Sequence, residues 1–140
     1  TVPEPNLATL PLGKGEIIRQ GKGIALLAFG SLVPASLAAG EELDATVVNM
    51  RFVKPIDTEM IVELAGNHSL LVSVEENVVI GGAGSEIARV LTKHGLNVPL
   101  LSLGLPDRFI DHGEQGQLLA DLGLDKDGIV RTVRAQARTR

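Results

Sequence analysis

Two adjacent glutamates, Glu75 and Glu76, stand between an apolar stretch and a glycine-rich turn in Leu70–Glu86, LLVSVEENVVIGGAGSE. Paired carboxylates can perform general acid and base chemistry when both reach one substrate. Successive side chains of a strand point to opposite faces, so this pair is poorly placed to act as a dyad. We expect structural hydrogen bonds or an interface contact instead, with one carboxylate half buried beside a basic residue such as Arg51 or Lys54.

The glycine-rich turn Gly82-Ala83-Gly84 precedes Ser85, which we expect to open a helix. Backbone N–H groups at such a start can hold a phosphate or another anion. A dinucleotide site would also need an acidic residue at the end of the next strand, and Val98–Leu103 does not end in one. Close packing of the helix on the sheet is therefore the favoured reason for Gly82 and Gly84. Anion or nucleotide binding remains an alternative.

The three histidines, His68, His94 and His112, are far apart and do not match the spacing of a common metal motif. An interface or substrate-side contact is kept open for His112, because it follows the loop that ends at Asp107. The sequence contains no G-x-S-x-G elbow, no Walker A loop and no H-E-x-x-H motif. We therefore expect no catalytic residue, no cofactor-binding residue and no metal ligand in this chain.

Composition narrows the classes of function. The chain has 140 residues, of which 44% are hydrophobic and 21% charged, enough for one globular domain with a substantial core. A net charge of -4 and only 2% aromatic residues argue against nucleic-acid binding, which favours basic surfaces and stacking side chains. The cations near the C-terminus are interpreted as complementing the dipole of a final helix. They are Arg131, Arg134, Arg138 and Arg140.

Membrane insertion is not expected either. The uncharged run Ile24–Gly40 contains Pro34 and polar residues and is shorter than the roughly 20 apolar residues of a membrane span. The absence of cysteine is compatible with a reducing cytoplasm. Residues 1–11 contain three prolines without hydrophobic periodicity, which predicts a linker arriving from an upstream domain. Residues 12–140 are then the domain itself.

The remaining chain alternates between strand-like and helix-like segments. This alternation predicts a three-layer α/β/α domain with a mostly parallel sheet of about five strands. The apolar runs expected to be strands covered on both faces are Ile24–Phe29, Ala45–Met50, Leu70–Val74 and Val98–Leu103. A further strand, Glu16–Arg19, is predicted to form a hairpin with the first of these through the QGKG turn, and so to lie antiparallel at a sheet edge.

Helical segments follow three of these strands. Ser31 and Asp57 are the expected caps of the first two helices, and Gly95 is the expected end of the third. The carboxyl ends of parallel strands meet at one edge, where ligands or partners normally bind. We expect that edge to be the functional surface. The loops that reach it are Gly30–Ser31, Arg51–Pro55, Glu75–Gly84 and Gly104–Asp107.

Three sequence motifs resemble those of a known family. They are N-M-R-F-V-K-P-I-D at residues 49–57, V-E-E-N followed by G-G-A-G-S between residues 74 and 85, and G-L-P-D-R-F-I followed by H-G between residues 104 and 113. Together they resemble the C-terminal domain of the 1-deoxy-D-xylulose 5-phosphate synthase family. The similarity runs from about Pro11 to about Val133 in unbroken order. The second motif is shared among transketolase-like enzymes, whereas the other two point more narrowly to the synthase.

The resemblance implies a transketolase C-terminal-like fold within a three-domain enzyme. Such an enzyme uses thiamine diphosphate and magnesium to condense pyruvate with glyceraldehyde 3-phosphate, releasing CO2, and its product feeds isoprenoid, thiamine and pyridoxal synthesis. A cytoplasmic homodimer is implied as well. In that family the N-terminal and middle domains hold the cofactor, so the resemblance implies a structural role for this domain, which is inactive alone and has those two domains as partners.

The residues expected to lie at the domain interface or on the substrate side are Arg51, Lys54, Glu75, Glu76, Asn77, Gly82, Gly84, Asp107 and His112. Three other interpretations stay open. The chain could be the third domain of a 2-oxo acid dehydrogenase beta subunit, a free-standing anion- or nucleotide-binding domain, or an interaction module of another family.

Overall fold

A computed structural model of the protein describes residues 14–51, 55–78, 82–106 and 125–138. Over these ranges, one sheet has five strands in the order β1-β3-β2-β4-β5. The strands are β1 (Glu16–Arg19), β2 (Gly23–Ala28), β3 (Thr46–Asn49), β4 (His68–Val78) and β5 (Leu100–Pro106). The helices are a short 3-10 helix (Gly30–Leu32), α1 (Val33–Leu43), α2 (Thr58–Asn67), α3 (Ala83–Lys93) and α4 (Lys126–Arg138).

The strand pairing confirms the predicted mixed sheet. β2 pairs in parallel with β3 on one side and with β4 on the other, and β5 continues the parallel sheet beyond β4. β1 is antiparallel and pairs with β3 at the opposite edge. The predicted hairpin between β1 and β2 is wrong, because both sides of β2 are occupied by parallel neighbours. The QGKG segment is instead a close crossing, where a Cβ atom on Gly21 would lie 2.2 Å from the carbonyl carbon of Ala45.

Two strands are longer than the apolar pattern predicts. β4 continues past Val74 to Val78, so Glu75–Asn77 belong to the strand and not to the loop after it. β5 continues to Pro106 and takes in Gly104. The two strands remain paired over this stretch, with a shift of register between Glu75 and Asn77. Pairing with a parallel neighbour thus extends both strands into polar and glycine-containing sequence.

One of the two predicted N-cap residues caps its helix, and the other does not. Asp57 caps α2 as predicted, since its Oδ1 accepts a hydrogen bond from the N–H of Met60 at 3.1 Å. Ser31 is not the cap of α1, because it lies within the 3-10 helix and α1 begins at Val33. Pro34 occupies the first turn of α1, where its missing N–H has no cost. No helix in the described residues is long and apolar enough to cross a membrane.

Both faces of the sheet are covered, as the continuous apolar runs predict. Leu26 and Val72 belong to a cluster with residues of α1 and α4. Leu27 and Leu71 belong to a second cluster with residues of α2 and α3. Neighbours in sequence enter different clusters because side chains alternate along a strand. The helices are therefore divided two and two between the faces, and the polar ends of the strands remain at the edges.

One charged contact joins the last helix to the first. Glu42 of α1 pairs with Lys126 of α4, and it also lies 3.3 Å from Nη1 of Arg134. Hydrogen bonding to the Lys126 ammonium holds the pKa of Glu42 below its ordinary value. Arg134, one of the cations assigned to the helix dipole, thus contributes to a contact between helices.

The glycines of two helices differ in what a side chain would meet. A Cβ atom on Gly40 would lie 2.2 Å from Cγ2 of Val47, whereas one on Gly66 would have no neighbour within 4 Å. We expect Gly40→Ala to lower the free energy of unfolding by about 1–3 kcal/mol through overpacking. Gly66→Ala should raise it by up to about 1 kcal/mol through helix propensity. Urea denaturation measures both, and equal effects at the two positions would contradict this packing.

The Glu42 contact predicts a pH-dependent stability. A carboxylate whose pKa is lowered by folding stabilises the folded state above its unfolded pKa and loses that contribution as pH falls through the folded pKa. We expect Glu42→Gln to be less stable than the wild type near pH 7, with the difference shrinking below about pH 4.5. Urea denaturation across that range tests this. Exposed Glu41, changed to Gln, is the control, and a pH-independent difference for Glu42→Gln would contradict the ion pair.

Candidate functional site

The ends of the parallel strands form one edge of the sheet. Asn49 of β3, Ala28 of β2 and Val74 of β4 are register partners in neighbouring strands. The residues that follow them therefore emerge side by side, and we call this side of the domain the carboxyl edge. Arg51 follows β3 at this edge, and Glu75 lies one residue beyond Val74.

The side chain of Glu75, on β4, forms hydrogen bonds with the start of α3. It is buried, with 7% of the residue exposed. Oε1 accepts a hydrogen bond from the N–H of Ala83 at 3.0 Å, and Oε2 accepts one from the N–H of Gly84 at 2.9 Å. The first N–H groups of a helix have no partner within the helix, and their partial positive charge favours a carboxylate. The buried charge of Glu75 is thus compensated by the backbone of α3.

Gly84 allows this close approach of helix and sheet. A Cβ atom at position 84 would lie 2.6 Å from Oγ of Ser102 on β5 and 3.4 Å from Oε2 of Glu75. The packing explanation for this glycine agrees with that geometry. Gly82 is the N-cap residue in an extended conformation, so α3 begins two residues before the expected Ser85. Sequence reasoning missed Ser102, because its position beside α3 follows from the pairing of β5 with β4.

Arg51 has a different partner from the one expected. Its Nη2 donates to Oε1 of Glu16 at 2.7 Å, and its backbone N–H donates to Oδ1 of Asn49 at 3.2 Å. Of the pairings expected for the two glutamates, the one between Glu75 and Arg51 is not formed, because β2 separates the strands next to them and N–H groups of α3 bind the carboxylate. Lys54 and the side chain of Glu76 lie outside the described residues. Arg51 has a φ of 65°, in the left-handed region that a residue with a side chain rarely adopts.

The remaining predicted residues are placed in part. The backbone of Glu76 and Asn77 lies within β4. Lys54, Asp107 and His112 lie outside the described residues.

The two described histidines, His68 and His94, make no contribution to the contacts of Glu75 with the start of α3. His68 begins β4 at the opposite edge, where Nδ1 donates to the carbonyl of Leu64 at 2.9 Å and Nε2 lies 2.8 Å from Oγ1 of Thr46. His94 follows α3 and is exposed. His68 thus lies at the opposite ends of the strands from Glu75, and His112 is outside the described residues.

The described residues do not fit a thiamine diphosphate or magnesium site. Within those ranges, no three His, Cys, Asp or Glu side chains are grouped as a metal site requires. The start of α3 offers the kind of N–H donors that hold a diphosphate. Two of these donors are already bound to Glu75. Within the described residues, Glu75 therefore holds the start of α3 on the side of the domain where the parallel strands end.

Comparison with known proteins gives consistent similarities. The family described as transketolase, C-terminal domain, matches residues 13–129. The 1-deoxy-D-xylulose-5-phosphate synthase of Dechloromonas aromatica (strain RCB) is 77% identical over 136 residues, which cover 97% of this chain and 22% of that protein. The synthase of Bordetella petrii (strain ATCC BAA-461) is 61% identical over 132 residues, covering 94% and 21%. This chain therefore spans roughly a fifth of the length of these relatives.

A solved structure is similar in fold. It is described as a split gene transketolase, inactive beta4 tetramer, and it aligns with a TM-score of 0.79 and 33% identity. The alignment covers 90% of this chain and 42% of the other. The similarity thus extends over most of the sheet and its helices.

Replacing Glu75 tests its role at the start of α3. In Glu75→Gln, one oxygen is exchanged for an amide NH2, which would face a backbone N–H and leave it without an acceptor. We expect the free energy of unfolding to fall by about 1–3 kcal/mol. Exposed Glu41→Gln, measured by the same urea denaturation, should have almost no effect. Equal stability of the two variants would show that the Glu75 carboxylate does not hold α3.

Proposed function

This chain belongs to the transketolase C-terminal domain family, and we propose that it is the third domain of a 1-deoxy-D-xylulose-5-phosphate synthase. The observation that carries the proposal is the 77% identity, over 97% of the chain, to a synthase of which it covers only 22%. The parent enzyme would use thiamine diphosphate and Mg2+ to condense pyruvate with glyceraldehyde 3-phosphate and release CO2. Residues 1–11 would be the linker from the preceding domain, and residues 12–140 the third domain.

Within that enzyme, the domain would serve assembly while other domains carry out the chemistry. Three features support this role: the Glu75 carboxylate accepts two hydrogen bonds from α3, no three His, Cys, Asp or Glu side chains of the described residues are grouped as a metal site requires, and the strand ends form one surface. The carboxyl edge would dock on the middle domain. Buried Glu75 and Gly84 would shape this surface from below, and exposed neighbours would make the contacts.

The other proposed interface residues remain Arg51, Lys54, Glu76, Asn77, Gly82, Asp107 and His112. A cytoplasmic homodimer is the form that we propose for the parent enzyme, in line with the family resemblance and the absence of cysteine. Free-standing anion binding at the start of α3 has less support, because an external anion would compete with Glu75 for the N–H groups of Ala83 and Gly84.

The activity of the separate chain tests the assembly role. We expect the purified 140-residue chain to release no CO2 from pyruvate in the presence of glyceraldehyde 3-phosphate, thiamine diphosphate and Mg2+. Titration calorimetry should detect no thiamine diphosphate binding by this chain. The full-length protein that contains it, assayed in parallel, should form 1-deoxy-D-xylulose 5-phosphate. Turnover by the chain alone would contradict the assembly role, and a folded full-length protein without this product would contradict the synthase assignment.

A further inference from the structure

The chain enters the sheet at the carboxyl edge, because β1 runs antiparallel to β3. Glu16, the first residue of β1, is the register partner of Asn49, the last residue of β3. Ala28 of β2 and Val74 of β4 continue the same row. Three strand spacings, about 14 Å, therefore separate Glu16 from Val74. Lys14 and Gly15, which lead into β1, thus lie on the same side of the domain as Glu75 and the start of α3.

Three consecutive residues at this point are bonded to the connection between β3 and α2 or to the first turn of α2. Nζ of Lys14 lies 2.8 Å from Oε1 of Glu59, the N–H of Gly15 donates to Oδ2 of Asp57 at 2.8 Å, and Nη2 of Arg51 donates to Oε1 of Glu16 at 2.7 Å. We call this set of contacts the N-terminal clamp. It joins the arriving chain to the same connection that carries Arg51 and the cap of α2.

Asp57 is the buried centre of the clamp, with 5% of the residue exposed. One carboxylate oxygen caps α2 through Met60, and the other holds Gly15. A buried carboxylate is stable only when such donors replace water. Gly15 also lies tightly against the end of β3, since a Cβ atom there would be 3.1 Å from the carbonyl oxygen of Asn49. The position of the arriving chain is therefore set by both hydrogen bonding and packing.

Arg51 contributes the second fixed point. Its left-handed backbone is costly for a residue with a side chain and persists only where the surroundings determine it. Here Glu16 binds the guanidinium, and Asn49 binds the backbone N–H. The Arg51 side chain is 23% exposed and that of Glu16 is 57% exposed, so the ion pair lies at the surface and its own contribution is modest.

We infer that the N-terminal clamp is a positioning device, which fixes the direction in which the preceding domain meets the carboxyl edge. This inference rests on the proposed function, because it requires a catalytic domain upstream. Asp57, Glu16 and Arg51 are then positioning residues of the synthase: they touch no substrate and act through the domain that they orient. Without these contacts, residues 14–16 would not be held against the domain, and the direction of the preceding domain would not be fixed.

Asp57→Ser separates the clamp from the helix cap. A serine hydroxyl can still accept from the N–H of Met60, as a good N-cap does, but it is too short to bind Gly15 as well. In the full-length synthase, we expect hydrogen exchange of the Gly15 amide to accelerate by about tenfold or more. With the protein fully folded, kcat for 1-deoxy-D-xylulose 5-phosphate formation should fall by at least about threefold.

The ion pair supplies a second, independent set of variants. Glu16→Gln and Arg51→Gln should each accelerate Gly15 exchange by about twofold to fivefold. Because both remove one interaction, the double variant should be no worse than either single one. Each single variant should also lower kcat, and the charge reversal Glu16→Arg with Arg51→Glu should recover part of that loss, which a general loss of stability would not allow.

The matched control lies at the other end of β1. Asp44→Asn removes the ion pair between Oδ1 of Asp44 and Nη1 of Arg19, which are 3.2 Å apart. Asn tolerates the left-handed backbone at this position, where φ is 54°. Like the Glu16–Arg51 pair, it links a residue of β1 to a residue just outside β3, but it lies at the end of β1 away from the carboxyl edge. We expect Asp44→Asn to leave both Gly15 exchange and kcat unchanged.

The activity and hydrogen-exchange measurements test the proposed function and the clamp separately. Wild-type full-length protein that makes no 1-deoxy-D-xylulose 5-phosphate would overturn the proposed function, whatever the Gly15 amide does. With an active wild type, unchanged Gly15 exchange in Asp57→Ser would overturn the clamp. Faster exchange with unchanged kcat would overturn its positioning role, and a loss of kcat in Asp44→Asn of equal size would do the same.

Discussion

The carboxyl edge depends on buried carboxylates that bind backbone N–H groups. Glu75 does this for the first residues of α3, and Asp57 does it for α2 and for the arriving chain at Gly15. Each acid satisfies donors that a helix start or a strand end leaves without partners. Because hydrogen bonds to a charged acceptor are stronger than neutral ones, two side chains fix two helices and one strand relative to the sheet.

This arrangement explains why acidic residues in a strand-and-glycine pattern resemble an active site without being free to react. A helix start that would attract a phosphate already holds an internal carboxylate, and the glycine that would admit a ligand admits Ser102 and Glu75 instead. At this part of the carboxyl edge, the start of α3 presents a surface whose first two N–H groups are bound to Glu75. Such a surface suits docking against another domain, which is the role that we propose for it within the synthase.

The sequence predicted those features that depend on local pattern. Alternating strands and helices, the Asp57 cap and burial on both sheet faces all follow from residues close together in the chain. It did not predict partners that depend on strand order. β1 lies beside β3, which brings Glu16 to Arg51, whereas β2 separates β3 from the strand that carries Glu75. The extension of β4 through Glu75–Asn77 has the same origin, since a neighbouring strand supplies the pairing that composition alone does not indicate.

In the full-length synthase, we propose that the preceding domain covers the carboxyl edge. Hydrogen exchange of the first turn of α3, residues 83–86, tests it directly when the 140-residue chain is compared with the full-length protein. Residues 22–24 at the opposite edge serve as the internal reference. We predict slower exchange of residues 83–86 in the full-length protein and equal exchange of the reference. Equal exchange of residues 83–86 in the two proteins would contradict the claim.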